Sequence, residues 1–411
     1  MISSPPEWAY VIQKMYIHPY WSYILRFLEE NPQLQNNFPS FMLVPEHVHI
    51  YLGQTHVVIE YTGRDKAEPY VFSGEYGMTV HWYQYQNLNG RELLDQITGI
   101  KFQPVSTNNI YLPLIGVVED LFMHTDDAFA ILTKNRWNWD AQSFMTMFGS
   151  VGLEFVIGES AILRNCFLYD ADEYGLKVRR IRWMEAYPVS LVSENDEIAT
   201  MEIRFPDLQK MALEVVTYEY SKPPTKDHRK LEILNRFIEL FNGNNVSETD
   251  ITRFLAQPAN QFILVYRFNS SEIHAEKECL WQSDDTRKGI KPDFFVVLPN
   301  GFTDIVEFKL PTLKGNSIVG KENRETFSAE LNSYIAQTRV YKEYFEDPRN
   351  REYVKICYGL NVKYPRCTIV IGRRTTFDNE EWKAIQNDYR DLDIVTYDDL
   401  VDLILSFLYL P

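Results

Sequence analysis

Asp293, Glu307 and Lys309 stand out in a largely apolar stretch, KPDFFVVLPNGFTDIVEFKLP, that runs from Lys291 to Pro311. The stretch reads as two strands joined by a turn at Pro299-Asn300-Gly301. Strand periodicity puts Glu307 and Lys309 on one face and Phe308 on the other. Asp293 opens the first strand, so a hairpin brings Asp293, Glu307 and Lys309 together at its open end. Two carboxylates at one point repel unless a cation lies between them. Mg²⁺, with Mn²⁺ as its substitute, takes one or two carboxylates and completes its shell with water and substrate. Asp293 and Glu307 are therefore the expected metal ligands, with the backbone carbonyl of Phe308 beside them. Lys309 cannot ligate while protonated, but it can orient or stabilise an attacking water whose pKa the metal lowers. These parts suffice for phosphodiester hydrolysis.

Such a hairpin needs a scaffold, and the text from Leu231 onward supplies one. A helix is expected at LEILNRFIELF. A second begins at SETDITRFLAQ, with Ser247 as N-cap and Asp250 three residues on. There follow strands at FILVYRF and EIHAEKECLW, the hairpin, a long helix over 322–346, a strand at CTIVIGRR, a helix at EEWKAIQNDYR, a strand at DIVTY and a last helix at DDLVDLILSFL. Helices alternating with strands after a hairpin predict an α/β domain with a mixed central sheet. The preceding 220 residues read differently. Short apolar runs such as FMLVPEHVHIYLG, HVVIEYTG, MTVHWYQYQ, GIKFQPV, AFAILTK and GLKVRRIRWMEAYPVSLV predict an antiparallel, β-rich region of one or two subdomains. Helical patches over residues 8–31 are expected to break at Pro19. The charged, proline-containing stretch 221–230 reads as a linker. The whole is thus a multidomain α+β and α/β chain: 1–220, a linker at 221–230, and 231–411.

At 411 residues, two or three domains are expected. Four scattered cysteines without a CxxC argue against a disulfide framework or a thiolate zinc site. With no signal-peptide pattern and no membrane-length apolar run, the reading is a cytoplasmic protein without membrane contact. The net charge of −16 offers no support for a nucleic-acid partner, but it is unevenly spread. Residues 1–220 hold 15 Lys and Arg against 28 Asp and Glu, whereas the rest hold 26 against 29. A local basic surface remains open to the second half. There Lys288, Lys314, Lys321, Arg373 and Arg374 flank the open end of the hairpin. In the first half, Arg180 and Arg182 share a strand face in KVRRIRWME and are weaker phosphate-binding candidates, more simply read as pairing with local acids. His47 and His49 in HVHIYLG, with His56 close by, are read as a solvated strand face rather than a zinc site.

The order Pro292-Asp293, then Glu307-Phe308-Lys309, resembles the PD-(D/E)xK nuclease superfamily. The resemblance implies a restriction-endonuclease-like fold. The following helix carries Gln337 and Tyr341, four apart and on one face. This Q-x-x-x-Y resembles the added motif of the recombination-exonuclease branch that includes lambda exonuclease, and implies that both residues face the site. The bland alternative makes Tyr334, Tyr341 and Phe345 a core stripe. The superfamily's upstream acid falls on Glu248, which on an ideal helix lies on the side of Ile251 and Leu255; its alternative role is a first-turn acid on the helix dipole. From Glu248 ahead of Phe254-Leu255 to Val-Glu-Phe-Lys-Leu-Pro at 306–311, the text is similar to the Shedu family of bacterial anti-phage nucleases, over about 245–405. That resemblance implies a Mg²⁺-dependent endodeoxyribonuclease acting on double-stranded DNA, including its ends, in phage or plasmid defence. It also implies a homo-oligomer, with a homotetramer expected, gated by residues 1–220. The competing readings are a non-catalytic nucleic-acid-binding scaffold and a DNA-repair or RNA nuclease using the same residues.

Overall fold

A computed structural model describes residues 6–36, 46–63, 79–85, 87–102, 109–112, 117–119, 121–135, 145–147, 152–195, 198–217, 226–243, 245–284, 286–313, 315–321, 324–377, 379–389 and 392–409. The chain divides into two units. The first comprises residues 1–129, 142–170 and 179–224; the second comprises 130–141, 171–178 and 225–411. Of the expected linker, 221–225 lie outside the described residues, and Lys226–Lys230 are already helical.

The first unit is built on a mixed sheet. Its central hairpin pairs β1 (His47–Gly53) with β2 (His56–Thr62), antiparallel. β3 (Thr79–Tyr85) lies on the outer side of β1 and runs parallel to it. β4 (Asn109–Leu112), β5 (Val117–Glu119), β6 (Leu121–His124), β7 (Met145–Met147) and β8 (Gly152–Phe155) are short. β9 (Ala161–Asp172) and β10 (Gly175–Asn195) form a long hairpin, and β11 (Ile198–Ile203) folds back on β10. The main path runs β3-β1-β2-β10-β9-β6-β7. The expectation of an antiparallel region is therefore corrected: β3, β5, β6, β7 and the β4–β8 pair make parallel ladders. Alternation in sequence tells which face a side chain takes; it does not tell which strand lies beside it.

Alternate residues of β2 feed two cores. Val57, Ile59 and Tyr61 pack with α1 (Glu7–Ile12), α2 (His18–Glu30) and α5 (Leu208–Thr217), whereas Val58 packs with α3 (Gly90–Thr98). Pro19 does not break the first helical stretch. It stands in the first turn of α2, where its missing N–H matters least, after a π-helical turn at Gln13–Ile17. AFAILTK, expected as a strand, belongs to helix α4 (Asp126–Lys134): the Ala128 N–H donates to Thr125 Oγ1 (3.3 Å), and two acids fill the first turn. In GIKFQPV, Gly99 is the left-handed cap of α3 and residues 99–102 form no strand; 103–105 lie outside the described residues.

A fully buried acid anchors the first of these cores. Glu185 accepts from Tyr20 Oη (2.8 Å), Trp183 Nε1 (2.9 Å) and the Tyr16 hydroxyl, which also contacts Tyr187 Oη at 2.6 Å. Burial pushes the Glu185 carboxyl up, against the pull of these donors. Glu185→Ala removes the shared acceptor of buried hydroxyl and indole donors. It is expected to destabilise by about 3 kcal/mol or more in urea unfolding followed by tryptophan fluorescence.

The second unit holds a five-stranded sheet in the order β12-β13-β14-β17-β18. β12 (Glu272–Ala275), β13 (Phe294–Val297) and β14 (Thr303–Phe308) are antiparallel; β17 (Cys367–Val370) and β18 (Leu392–Val395) continue parallel to β14. A small ladder, β15 (Ile318–Val319) with β16 (Thr326–Phe327), follows the hairpin. The helices are α6 (Lys226–Phe241), α7 (Glu248–Ala256), α8 (Phe262–Phe268), α9 (Ala329–Glu346), α10 (Pro348–Tyr358), α11 (Asn379–Gln386) and α12 (Tyr397–Tyr409). The mixed sheet expected for this part is present. FILVYRF is helix α8 rather than a strand, since a seven-residue apolar run carries no decisive period; Asn269 closes it in the left-handed conformation. The expected strand EIHAEKECLW ends at Ala275, where Glu276 takes a positive φ. The long helix begins at Ala329, not 322, because Ser328 caps it by accepting from the Leu331 N–H. Helix α10 was not anticipated, although Asp347 as N-cap, Pro348 in the first turn and Gly359 after the end are its signals.

Candidate active site

The hairpin register sets the site. β13 and β14 pair Phe294 with Val306 and Val297 with Thr303 around a turn in which Gly301 takes φ +81. Asp293 and Glu307 are the next pair outward. They are tied crosswise: the Phe308 N–H donates to Asp293 Oδ2 (2.8 Å), and the Asp293 N–H donates to Glu307 Oε2 (3.3 Å). Glu307, 3% exposed, and Lys309, 5% exposed, lie side by side, with Lys309 Nζ 3.0 Å from Glu307 Oε1.

Three other elements close on this pair. On α9, Gln337 Nε2 donates to Glu307 Oε1 (2.7 Å) and Tyr341 Oη donates to Glu307 Oε2 (3.0 Å); Gln337 Nε2 also donates to Tyr341 Oη (2.6 Å). On α7, Glu248 Oε2 accepts from Lys309 Nζ at 3.4 Å. Asp250 is held in the cap, where it accepts from Ser247 N–H and the Asp250 N–H donates to Ser247 Oγ (both 3.2 Å), leaving Glu248 as the acid of this helix that reaches the site. Sequence reading missed Tyr397. Its buried hydroxyl donates to the Lys309 carbonyl (2.7 Å), while the Lys309 N–H donates to Val370 O (2.8 Å), so the lysine's backbone is pinned on both sides. Tyr397 is the last residue of the expected strand DIVTY, whereas β18 ends at Val395 and Tyr397 opens α12.

The electrostatics follow from this crowding. Burial and the neighbouring Glu307 push the Asp293 carboxyl up to about 7, although the Phe308 N–H and Lys309 pull the other way. Burial alone would lower Lys309, but Glu307, Glu248 and Asp293 outweigh it and hold the ammonium above its ordinary value. Lys309 is thus charged at neutral pH in the metal-free protein and donates to Glu307 and Glu248. Burial, then Glu307, raises the Tyr341 phenol, which stays a donor as well.

A divalent cation of the expected kind fits the chemistry of the donor set. The carboxyls of Asp293 and Glu307 carry the like-charge repulsion that a cation relieves, and Phe308, which follows Glu307, already donates its N–H to Asp293 Oδ2. No group of three His, Cys, Asp or Glu side chains able to enclose a metal occurs among the described residues. Two carboxylates suit a hard cation that completes its shell with water.

The basic residues expected to meet phosphate are mostly engaged elsewhere. Arg373 is 6% exposed. Its guanidinium donates to both Asp398 carboxylate oxygens (2.7–3.1 Å), to Asn242 Oδ1 (2.6 Å) and to the Tyr174 carbonyl (2.7 Å). Tyr174 belongs to the tip of the β9–β10 hairpin, residues 171–178, which is part of this unit. Next to it, Gly175 takes φ +116, and a Cβ there would lie 2.6 Å from Asp398 Oδ1. Arg374 pairs with Asp399 (2.8 Å) and Asp402 (2.6 Å). In the first unit, buried Arg180 donates to Asn165 Oδ1 (2.8 Å), and Arg182 donates to the Gly63 carbonyl. Sequence shows the charges but not these long-range acceptors. Lys288 and Lys321 are exposed, and Lys314 lies outside the described residues. Of the histidines, His47 and His49 cluster with His81, and His56 is buried against the Glu159 carbonyl rather than solvated.

The raised Asp293 has a signed consequence. Its folded value lies above the ordinary 3.8, so its contribution to stability is present at low pH and is lost as pH rises toward about 7. Asp293→Asn is expected to stabilise the metal-free protein at pH 8 by about 1 kcal/mol or more, with the gain vanishing near pH 4. Melting temperatures across that range check this.

No curated protein matches the chain. Residues 245–401, less than half of the chain but all of the site, match the family model described as Shedu protein SduA, C-terminal, and this match supports a Shedu-family protein.

Proposed function

We propose that the chain is a Mg²⁺-dependent endodeoxyribonuclease of the PD-(D/E)xK type, with a restriction-endonuclease-like second unit, acting on double-stranded DNA in anti-phage or anti-plasmid defence. The observation that carries this reading is the convergence of Asp293, Glu307 and Lys309 at the hairpin end, with Gln337 and Tyr341 both donating to Glu307. The match to the SduA C-terminal domain supports the defence setting.

In this reading Asp293 and Glu307, with the Phe308 carbonyl, would hold the cation, which when bound lowers the pKa of water and offsets charge on the phosphate. Lys309 directs a proton-bearing cationic group at the attacking water or a phosphate oxygen; in the metal-free protein Glu307, Glu248 and Asp293 hold that ammonium above its ordinary value. Gln337 and Tyr341 fix the plane of the Glu307 carboxylate. Glu248 holds the other side of the ammonium. The acidic first unit regulates access and disfavours unprovoked DNA binding. The protein works in the cytoplasm as a homotetramer, a mass that light scattering measures.

Lys309→Ala tests the reading in the full-length protein. Cleavage of linear double-stranded DNA with Mg²⁺ is expected to fall by about 100-fold or more, and a chelator is expected to abolish it in the parent. Cleavage unchanged by the substitution overturns the assignment.

A further inference from the structure

The Lys309 ammonium has a third described neighbour besides its two carboxylates. The ring of Tyr334 lies with its centroid 5.3 Å from Lys309 Nζ, against 3.0 Å to Glu307 Oε1 and 3.4 Å to Glu248 Oε2. Tyr334 sits one turn before Gln337 and two turns before Tyr341 on α9, so Glu330, Tyr334, Gln337 and Tyr341 form one stripe of the helix. Its hydroxyl donates to Glu330 Oε1 (3.1 Å), four residues earlier. The ring is half-buried and packs at the margin of the core that also contains Tyr341 and Ile335.

We propose that Tyr334 is a positioning residue whose ring face holds the Lys309 ammonium in place. The contact has a property the carboxylate contacts lack. Glu307 and Glu248 are oxygen donors of the kind a hard cation takes, so their hold on Lys309 weakens whenever those oxygens turn to another charge. A π face attracts an ammonium but offers no ligand oxygen, and the Tyr334 hydroxyl is occupied by Glu330. The ring therefore keeps the ammonium in one place whatever the acids bind. The catalytic consequence rests on the nuclease reading above; the contact itself does not.

The test compares Tyr334→Phe, which keeps the ring and loses the Glu330 bond, with Tyr334→Leu, which loses both; Tyr334→Met replaces the latter if it does not fold. In the metal-free full-length protein, the rate of reductive methylation at Lys309, read by peptide mass, is expected to rise about three-fold or more in Tyr334→Leu and to stay within about two-fold of the parent in Tyr334→Phe. At saturating Mg²⁺, kcat on linear double-stranded DNA is expected to fall about five- to ten-fold in Tyr334→Leu with KM unchanged, and Tyr334→Phe is expected to restore most of it. A Tyr334→Phe protein as impaired as Tyr334→Leu overturns the proposal, as does a Tyr334→Leu protein with parental methylation and turnover, or a change confined to KM. Absence of Mg²⁺-dependent cleavage in the parent overturns the nuclease reading alone, and methylation still decides whether the ring holds Lys309.

Discussion

A carboxylate 3% exposed to solvent must be met by donors from the protein, and Glu307 is met from several directions. Lys309 comes from just past the end of its own strand, Gln337 and Tyr341 from α9, and the Asp293 N–H from just before the neighbouring strand. The hairpin register and the start of α9 are thereby bound to one another. A slip of one residue in β14 would turn Glu307 to the opposite face. A helix starting elsewhere would move the Gln337–Tyr341 pair off the carboxylate. Ser328 at one end and Gly301 at the other are small local devices with that larger effect.

Charge around Glu307 is deliberately unbalanced. Glu248, Asp293 and Glu307 surround a single buried lysine, and the excess appears as the reluctance of Asp293 to ionise. Burial comes first in raising it, and Glu307 beside it adds to the shift. Arg373 and Arg374, near in sequence to β17, do not relieve it, because Asp398, Asp399 and Asp402 neutralise them locally. The arginines stabilise the start of α12, and α12 in turn supplies Tyr397 to the Lys309 backbone.

The site was legible in sequence where local rules decide it. Two-residue spacing and a turn glycine brought Asp293, Glu307 and Lys309 together; a four-residue helical pair put Gln337 and Tyr341 on one face, but only the family resemblance pointed that pair and Glu248 at the site. What was illegible depends on partners far along the chain. AFAILTK and FILVYRF are apolar enough for either strand or helix, and their caps decide the matter. The parallel neighbours of the first sheet follow from chain crossings that alternation cannot encode. The fate of Arg180 and Arg373 was set by Asn165, Asp398 and the Tyr174 carbonyl, none of which a count of charges reveals. Tyr334 was visible only as an aromatic on a core stripe, which is half of what it is.

Arg373 grips the β9–β10 tip through a main-chain carbonyl, and Asp398 leaves no room for a side chain at Gly175. The tip is recognised as a shape, not as a spelling. Any residue at position 174 offers the same carbonyl, so the lettering there is free. The length of the loop is not: one inserted residue would rotate that oxygen away from the guanidinium and bring a Cβ against Asp398. In this hairpin, metre is held more strictly than vocabulary.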